Sequence, residues 1–231
     1  MTSPADLPEA AATVSVRGEA MIEADPEIVV FSVSVNARAR DRREAVANLS
    51  QRNDAFLELV RSFGQAIEKA ETSGVTVYPE LRRGREEKVR WYRGTVRTRL
   101  TVADFSVAGE LVGRISDMEL CVIDGPWWQL RTGSPIYREA RLTAAREAVT
   151  RAAEYAEAVG GTLTGLLELS DAGMSSAAPH RMAFSAGARA GAPRGGQEET
   201  PVVIDLEPET QVVHASVEAR FTMTQPASVR P

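Results

Sequence analysis

Residues 14–35 read VSVRGEAMIEADPEIVVFSVSV, and the apolar positions in this stretch alternate in two separate runs. Val14 and Val16 belong to the first, from Thr13 to Ala20, while Val29, Phe31, Val33 and Val35 mark the second, from Glu27 to Asn36. A period of two places every other side chain on one face of an extended chain, as in a half-buried strand. Between the runs, Ala24-Asp25-Pro26 suits a hairpin or other tight connection. The period then changes. Asp41 followed by Glu44 is a capping-box pair, and Ala45, Leu49, Phe56, Val60 and Phe63 recur at helical spacing until Gly64. Residues 42–63 therefore read as one amphipathic helix, and a strand across Val75 and Val77, bounded by Pro79, completes a ββαβ unit.

The second unit follows the polar turn RRGREEK, residues 82–88. Val96, Thr98, Leu100 and Val102 alternate with Arg93, Thr95, Arg97 and Arg99, giving a strand with one apolar and one basic face. A short helix is predicted from Phe105 to Ile115, then a strand from Cys121 to Leu130. Ser134-Pro135 starts a long helix, with an N-cap and a proline at the first helical position. Along it Tyr137, Ala140, Ala144, Ala148, Ala152, Tyr155 and Val159 fall three or four apart, and Gly160-Gly161 stops it. Small residues in a stripe let a helix sit close on a sheet. Residues 171–200 lose periodicity and are rich in Gly, Ala, Ser and Pro, as in a flexible loop. Val213, Ala215, Val217, Ala219, Phe221 and Met223 then share one face of a final strand, opposite His214 and its alternating neighbours.

These elements define an α+β class: two linked subdomains of antiparallel sheet packed by long helices. The predicted division is a disordered N-terminus (1–12), a first subdomain of ββαβ form (13–88), a second of βαβαββ, ferredoxin-like form (89–225) containing the 171–200 loop, and a tail (226–231).

Composition narrows the function. A net charge of −5 over 231 residues opposes general affinity for nucleic acid or anionic membrane, because phosphate binding needs a basic surface. The single Cys121, in an apolar run, reads as a small core residue and cannot form an internal disulfide. No apolar run approaches the roughly 20 residues of a membrane span. The first residues carry acids and prolines where a secretory leader has basic residues and an apolar core, so a soluble, cytoplasmic protein is expected.

Catalytic patterns are sparse. One Cys and two His residues, His180 and His214, give no zinc-type spacing. His214 reads as solvated, and Ser175 and Ser176 lack a nucleophile-elbow setting. GGTLTG, from Gly160, follows a helix and lacks the Gly-Lys-Ser/Thr of a phosphate loop. No catalytic residue, metal or cofactor is assigned. The richer feature is RRGREEKVRWYRGTVRTR, residues 82–99, where Trp91 and Tyr92 interleave with arginines. Its Arg93, Arg97 and Arg99 suit solvation or internal pairing, a subunit contact, or an anionic ligand gripped by guanidinium forks. In GPWWQL, residues 125–130, adjacent indoles must face opposite ways. Leu130 shares a face with Trp128, so Trp128 is expected to be buried and Trp127 exposed, as an oligomer anchor, a ligand platform or a partly buried seam residue.

The order of these motifs resembles the SIMPL domain family of bacteria, whose members share two linked α+β subdomains. The matching stretches are residues 14–35 with Gly18 and Pro26, TSGVTVYP at 72–79, and RWYRGTVRTRLTVADFSVAGELV at 90–112. REARLTAAREAVTRAAEYAEAVGGTLTGLLEL at 138–169, with Gly161, Leu163 and Gly165, and VVHASVEARFTM at 212–223 complete the set. The chain departs from the family at Pro26-Glu27, where Pro-Asp is usual, and at Pro79-Glu80-Leu81, where an aromatic often follows the proline. The resemblance implies no established reaction, metal or cofactor. It implies relatives that are exported envelope proteins linked with stress tolerance, or subunits of ring-shaped oligomers. The expectation is thus a non-enzymatic, self-associating scaffold or partner-binding module with Trp127, Trp91 and Tyr92 at its interface. The alternative is an anion or nucleic-acid binder using the 82–99 hairpin, nucleic acid being disfavoured by the overall charge; a hydrolase with an unrecognised site ranks last.

Overall fold

A computed structural model describes residues 12–81, 89–171 and 204–225 of the chain. The 82–88 turn with Arg82, Arg83, Arg85 and Lys88, the 171–200 loop beyond Asp171 with His180, Ser175 and Ser176, the first eleven residues and the 226–231 tail lie outside the described residues. In order, the elements are β1 (Ala12–Ala24), β2 (Ile28–Ala39), α1 (Arg42–Ser62), β3 (Ile67–Leu81), β4 (Val89–Val102), α2 (Ala108–Ser116), β5 (Cys121–Gln129), α3 (Pro135–Ala158), β6 (Leu163–Asp171) and β7 (Gln211–Met223). They form two antiparallel-type α+β units, one with sheet order β3-β4-β2-β5 and one with order β1-β7-β6.

The partition is not the serial one that the sequence suggests. The four-stranded unit takes 25–131 together with 204–211, and the three-stranded unit takes 12–24, 132–171 and 212–225. β1 is therefore no hairpin partner of β2. The reason lies in β2 itself: one edge pairs with β4 from Val29↔Val102 to Ala39↔Tyr92, and the other with β5 from Ile28↔Gln129 to Val35↔Cys121. Both rows of backbone groups are used, and no edge remains for β1. The ferredoxin-like arrangement belongs to β2-α1-β3-β4-α2-β5, a split βαβ built from residues 28–129, and not to the chain from residue 89 onward.

Local signals place the helices. Asp41 caps α1, its Oδ1 accepting from the amides of Arg43 (2.8 Å) and Glu44 (3.2 Å), and Gly64 ends the segment at φ +56°. Leu49, Phe56 and Val60 of α1 join Phe31, Val33, Val35, Leu100, Leu111 and Ile115 in the core of the four-stranded unit, and Ala45 is buried on the same helix. Ser134 caps α3, its Oγ accepting from the Ile136 amide, and Pro135 opens the helix. The buried face of α3 is Ala140, Ala144, Ala148, Ala152 and Ala156 alone; Tyr155 and Val159, expected on the same stripe, are exposed. A helix laid close on a sheet has no room beneath it for a ring.

That closeness is set at Gly18 of β1. A Cβ there would stand 2.1 Å from the Ala144 carbonyl oxygen and 2.6 Å from the Ala148 Cβ, so only glycine admits the helix. The same approach ties α3 side chains to the backbone of β1 at two points. Arg151 Nη1 donates to the Arg17 carbonyl (2.7 Å), the Glu19 amide donates to Glu147 Oε2 (3.0 Å), and the two side chains pair with each other at 2.6 Å. One helical ion pair thus occupies two backbone groups of β1, the Arg17 carbonyl and the Glu19 amide, that would otherwise be open to another chain. No helix among the described residues is long and apolar enough to cross a membrane.

Candidate functional site

Helices α1 and α2 pack on one face of the four-stranded sheet; the side chains of the other face define the candidate site. On β4 the alternation directs Trp91, Arg93, Thr95, Arg97 and Arg99 to that open face, and sends Val96, Thr98 and Leu100 into the core. Tyr92 follows the core-side alternation, and so parts from its neighbour Trp91. β5 makes the same division at its aromatic pair. Trp128 is 8% exposed and meets Phe105 edge-on, with ring centroids 4.9 Å apart, whereas Trp127 is 46% exposed on the open face.

The register then sorts the open-face residues into two groups. At one end, Glu80 of β3 binds Arg93 Nε (2.5 Å) and Arg38 Nη2 (2.6 Å), and Trp91 lies under the guanidinium groups of Arg38 (5.0 Å) and Arg40 (5.4 Å). Burial raises the Glu80 pKa, but the Arg93 hydrogen bond and the Arg93 and Arg38 charges outweigh it and hold the carboxyl below its ordinary value. Arg93 and Trp91 are thereby satisfied internally. In the middle, Thr95 Oγ1 donates to Asn36 Oδ1 across the strand pair (2.8 Å).

The other end is different. Arg99 lies opposite Ser32 and Arg97 opposite Ser34 on β2, while Trp127 lies opposite Val30 on the other side of that strand. Arg97, Arg99 and Trp127, with Ser32, Ser73 and Gln129, line a hollow of about 470 Å³. This falls in the size range of small-molecule sites, roughly 300–1,000 Å³. Both arginines are exposed, and among the described residues neither enters an ion pair, although Glu71 stands opposite Arg99 across β3–β4. The structure therefore brings together two of the three candidate arginines and the exposed indole. It diverts Arg93 and Trp91 to an internal cluster and turns Tyr92 to the other face. In the sequence the arginine strand and the tryptophan pair are separate features; the register through β2 joins them.

Elsewhere the chemistry is thin. Cys121 packs at the margin of the core, where burial pushes its thiol pKa up against the opposing effect of Arg52. His214 is exposed beside Glu19 and Ser216 in a shallow hollow, with no hydrogen bond joining the three. No group of three or more His, Cys, Asp or Glu able to hold a metal occurs among the described residues.

Comparison with known proteins gives the family. The chain is similar to the 26 kDa periplasmic immunogenic proteins of Brucella melitensis biotype 1 (strain 16M) and Brucella abortus (strain S19), each 29% identical over 170 residues. The match covers 69% of this chain and 66% of each relative, so the chain spans just under two thirds of their length. These relatives are named as periplasmic, which overturns the cytoplasmic expectation. That expectation rested on the composition of the first residues, a far weaker guide to compartment than a likeness running through both units. Residues 14–221 match the family model SIMPL, described as a protein of unknown function (DUF541), and the chain belongs to that family.

Proposed function

We propose that this chain is a non-catalytic SIMPL module that works in the periplasm and binds an anionic partner on the open face of its four-stranded sheet. The compartment follows the names of its relatives. The observation that carries the binding reading is that Arg97 and Arg99 share a hollow with the exposed Trp127 and have no carboxylate partner among the described residues. Exposed guanidinium groups left without an internal partner keep their five-donor forks for a carboxylate or phosphate.

Self-association through Trp127 fits this face less well. In a two-fold contact centred on Trp127, with the axis through the hollow, Arg97 and Arg99 of the two copies would come close to each other, and like charges across an interface cost several kcal/mol. Trp127 then serves an incoming group of opposite charge better than a second indole.

The test uses the acidity of the chain as background. At pH 7 a protein of net charge −5 should pass a carboxylate cation-exchange resin unless it carries a local basic face. The wild type is expected to be retarded at low salt, and Arg97→Gln with Arg99→Gln to elute with the void. Arg42→Gln with Arg43→Gln, an equal charge change on exposed positions of α1, is expected to leave the retardation largely in place. Equal loss in both double variants would reduce the effect to net charge and overturn the reading.

A further inference from the structure

We propose that the hollow beside Trp127 is a site for a small aromatic monoanion: a flat ring system carrying one carboxylate or sulfonate. The inference rests on the anion-binding reading and gives it a ligand class.

The register supplies the shape. Trp127 and the two arginines stand on strands separated only by β2, two strand spacings or roughly 10 Å across the sheet, and the register sets Arg99 two residues and Arg97 four residues along from the level of Trp127, so the arginines reach towards the indole diagonally over β2. Between them β2 presents Val30 and Ser32, both short. Long side chains on the outer strands and short ones on the middle strand make a trough. Its one wall is an indole, its other wall is a pair of guanidinium groups, and its floor passes from apolar at Val30 to hydroxyl at Ser32. A body one or two rings wide spans that gap with its acidic group at the arginines and its flat face against Trp127. Aromatic pairing favours a π-system over an aliphatic body of equal size.

Charge selects a monoanion. Arg97 and Arg99 lie two residues apart on one strand, about 7 Å along it, close enough for both forks to converge on one acidic group. Glu71 in register with Arg99 and Asp124 in register with Ser32 are the carboxylates nearest by register to this position. They flank Arg99 in register on either side, offset part of its charge and penalise a ligand with several negative charges. Ser32, Ser73 and Gln129 add uncharged hydrogen-bonding groups around the trough, which fix orientation without adding charge.

Three indoles in the whole chain make the site readable, since each gives one Nε1 resonance. The probe is 2-naphthoate, titrated by calorimetry and by ¹H–¹⁵N NMR. The controls are 2-naphthalenemethanol, which lacks the charge, decalin-2-carboxylate, which lacks the π-system, and acetate, which lacks the body. Naphthoate is expected to move the Trp127 indole signal far more than those of Trp91 and Trp128, and to bind at least about tenfold more tightly than any control. Arg97→Gln with Arg99→Gln, and separately Trp127→Leu, should each weaken it about tenfold or more, and Trp127→Phe should recover part of the loss. Because Trp127 is exposed, unchanged Trp128 emission in these variants shows that the fold is kept.

Equal binding of decalin-2-carboxylate, or indifference to Trp127→Leu, overturns the aromatic assignment. Naphthoate that fails to bind while the resin still discriminates the arginine variants overturns this inference and leaves the broader reading standing. Failure of both experiments removes both.

Discussion

The two units solve the same problem, covering a sheet, with opposite side-chain sizes. The four-stranded unit buries Phe31, Phe56, Leu100, Leu111 and Ile115 completely, under two helices. The three-stranded unit lays one helix over its sheet through Ala144, Ala148 and Ala152, against Val16, Ala20, Val217, Ala219 and Phe221. Large side chains hold layers apart and are filled in like a jigsaw; small ones bring backbones together and leave little to remove. The difference also shows at the margins. α3 reaches β1 so closely that its side chains bond the strand's edge, but Leu166, Leu167 and Leu169 of β6 stay about half exposed, at 55%, 56% and 52%. One narrow helix does not cover three strands.

Two substitutions of opposite sense can break this comparison. All three tryptophans lie in the four-stranded unit, so indole emission reports on that unit, and helical circular dichroism reports on both. Phe56→Ala empties a fully buried site and is expected to cost about 3–5 kcal/mol, shifting the indole transition to much lower denaturant. A cost below about 1 kcal/mol would show that the large-residue core is not what stabilises the unit. Gly18→Ala adds one methyl group where there is no room and should cost about 1–3 kcal/mol, lowering the dichroism transition while the indole transition holds. A variant as stable as the wild type would mean that α3 can lift from β1 freely, and the close-packing account would fail.

The smallest effect is electrostatic and sharpens the contrast within the open face. Because the Glu80 carboxyl is held below its ordinary value near 4.5, its contribution to stability is present above that pH and is lost as pH falls through the lower folded value. Glu80→Gln should therefore flatten the acid limb of the indole-monitored stability profile and change little at neutral pH beyond a slight loss. An unchanged acid limb would place the titrating group elsewhere. The arginine pair at the other end of the same face has no such partner among the described residues, and this separates a satisfied ion cluster from an available one.

How much was legible before the fold depends on the range of the signal. Asp41 and Ser134 announce their helices because a cap acts within three residues. The opposite placement of Trp127 and Trp128 follows from the pleat and from Leu130. What alternation does not carry is the identity of the neighbouring strand. Val14 and Val16 look like partners of Val29 and Val33 because a turn lies between the runs, yet β1 pairs with β7, some two hundred residues away along the chain. Tyr155 lies three residues after Ala152, within helical spacing, but is 56% exposed, because the buried stripe runs strictly in steps of four from Ala140 to Ala156 and leaves position 155 off its line.

By itself the sequence determined the class of each segment, the face that strand side chains take and the starts of the two long helices, since these depend on backbone periodicity and short-range hydrogen bonds. Only the tertiary structure decided which strands share a sheet, and hence that β2 carries β4 on one edge and β5 on the other. The candidate site follows from that second decision. Arg97 and Trp127 are thirty residues apart in the chain and become neighbours only through a third strand, because pairing is settled by which backbone edges remain free once the core has closed.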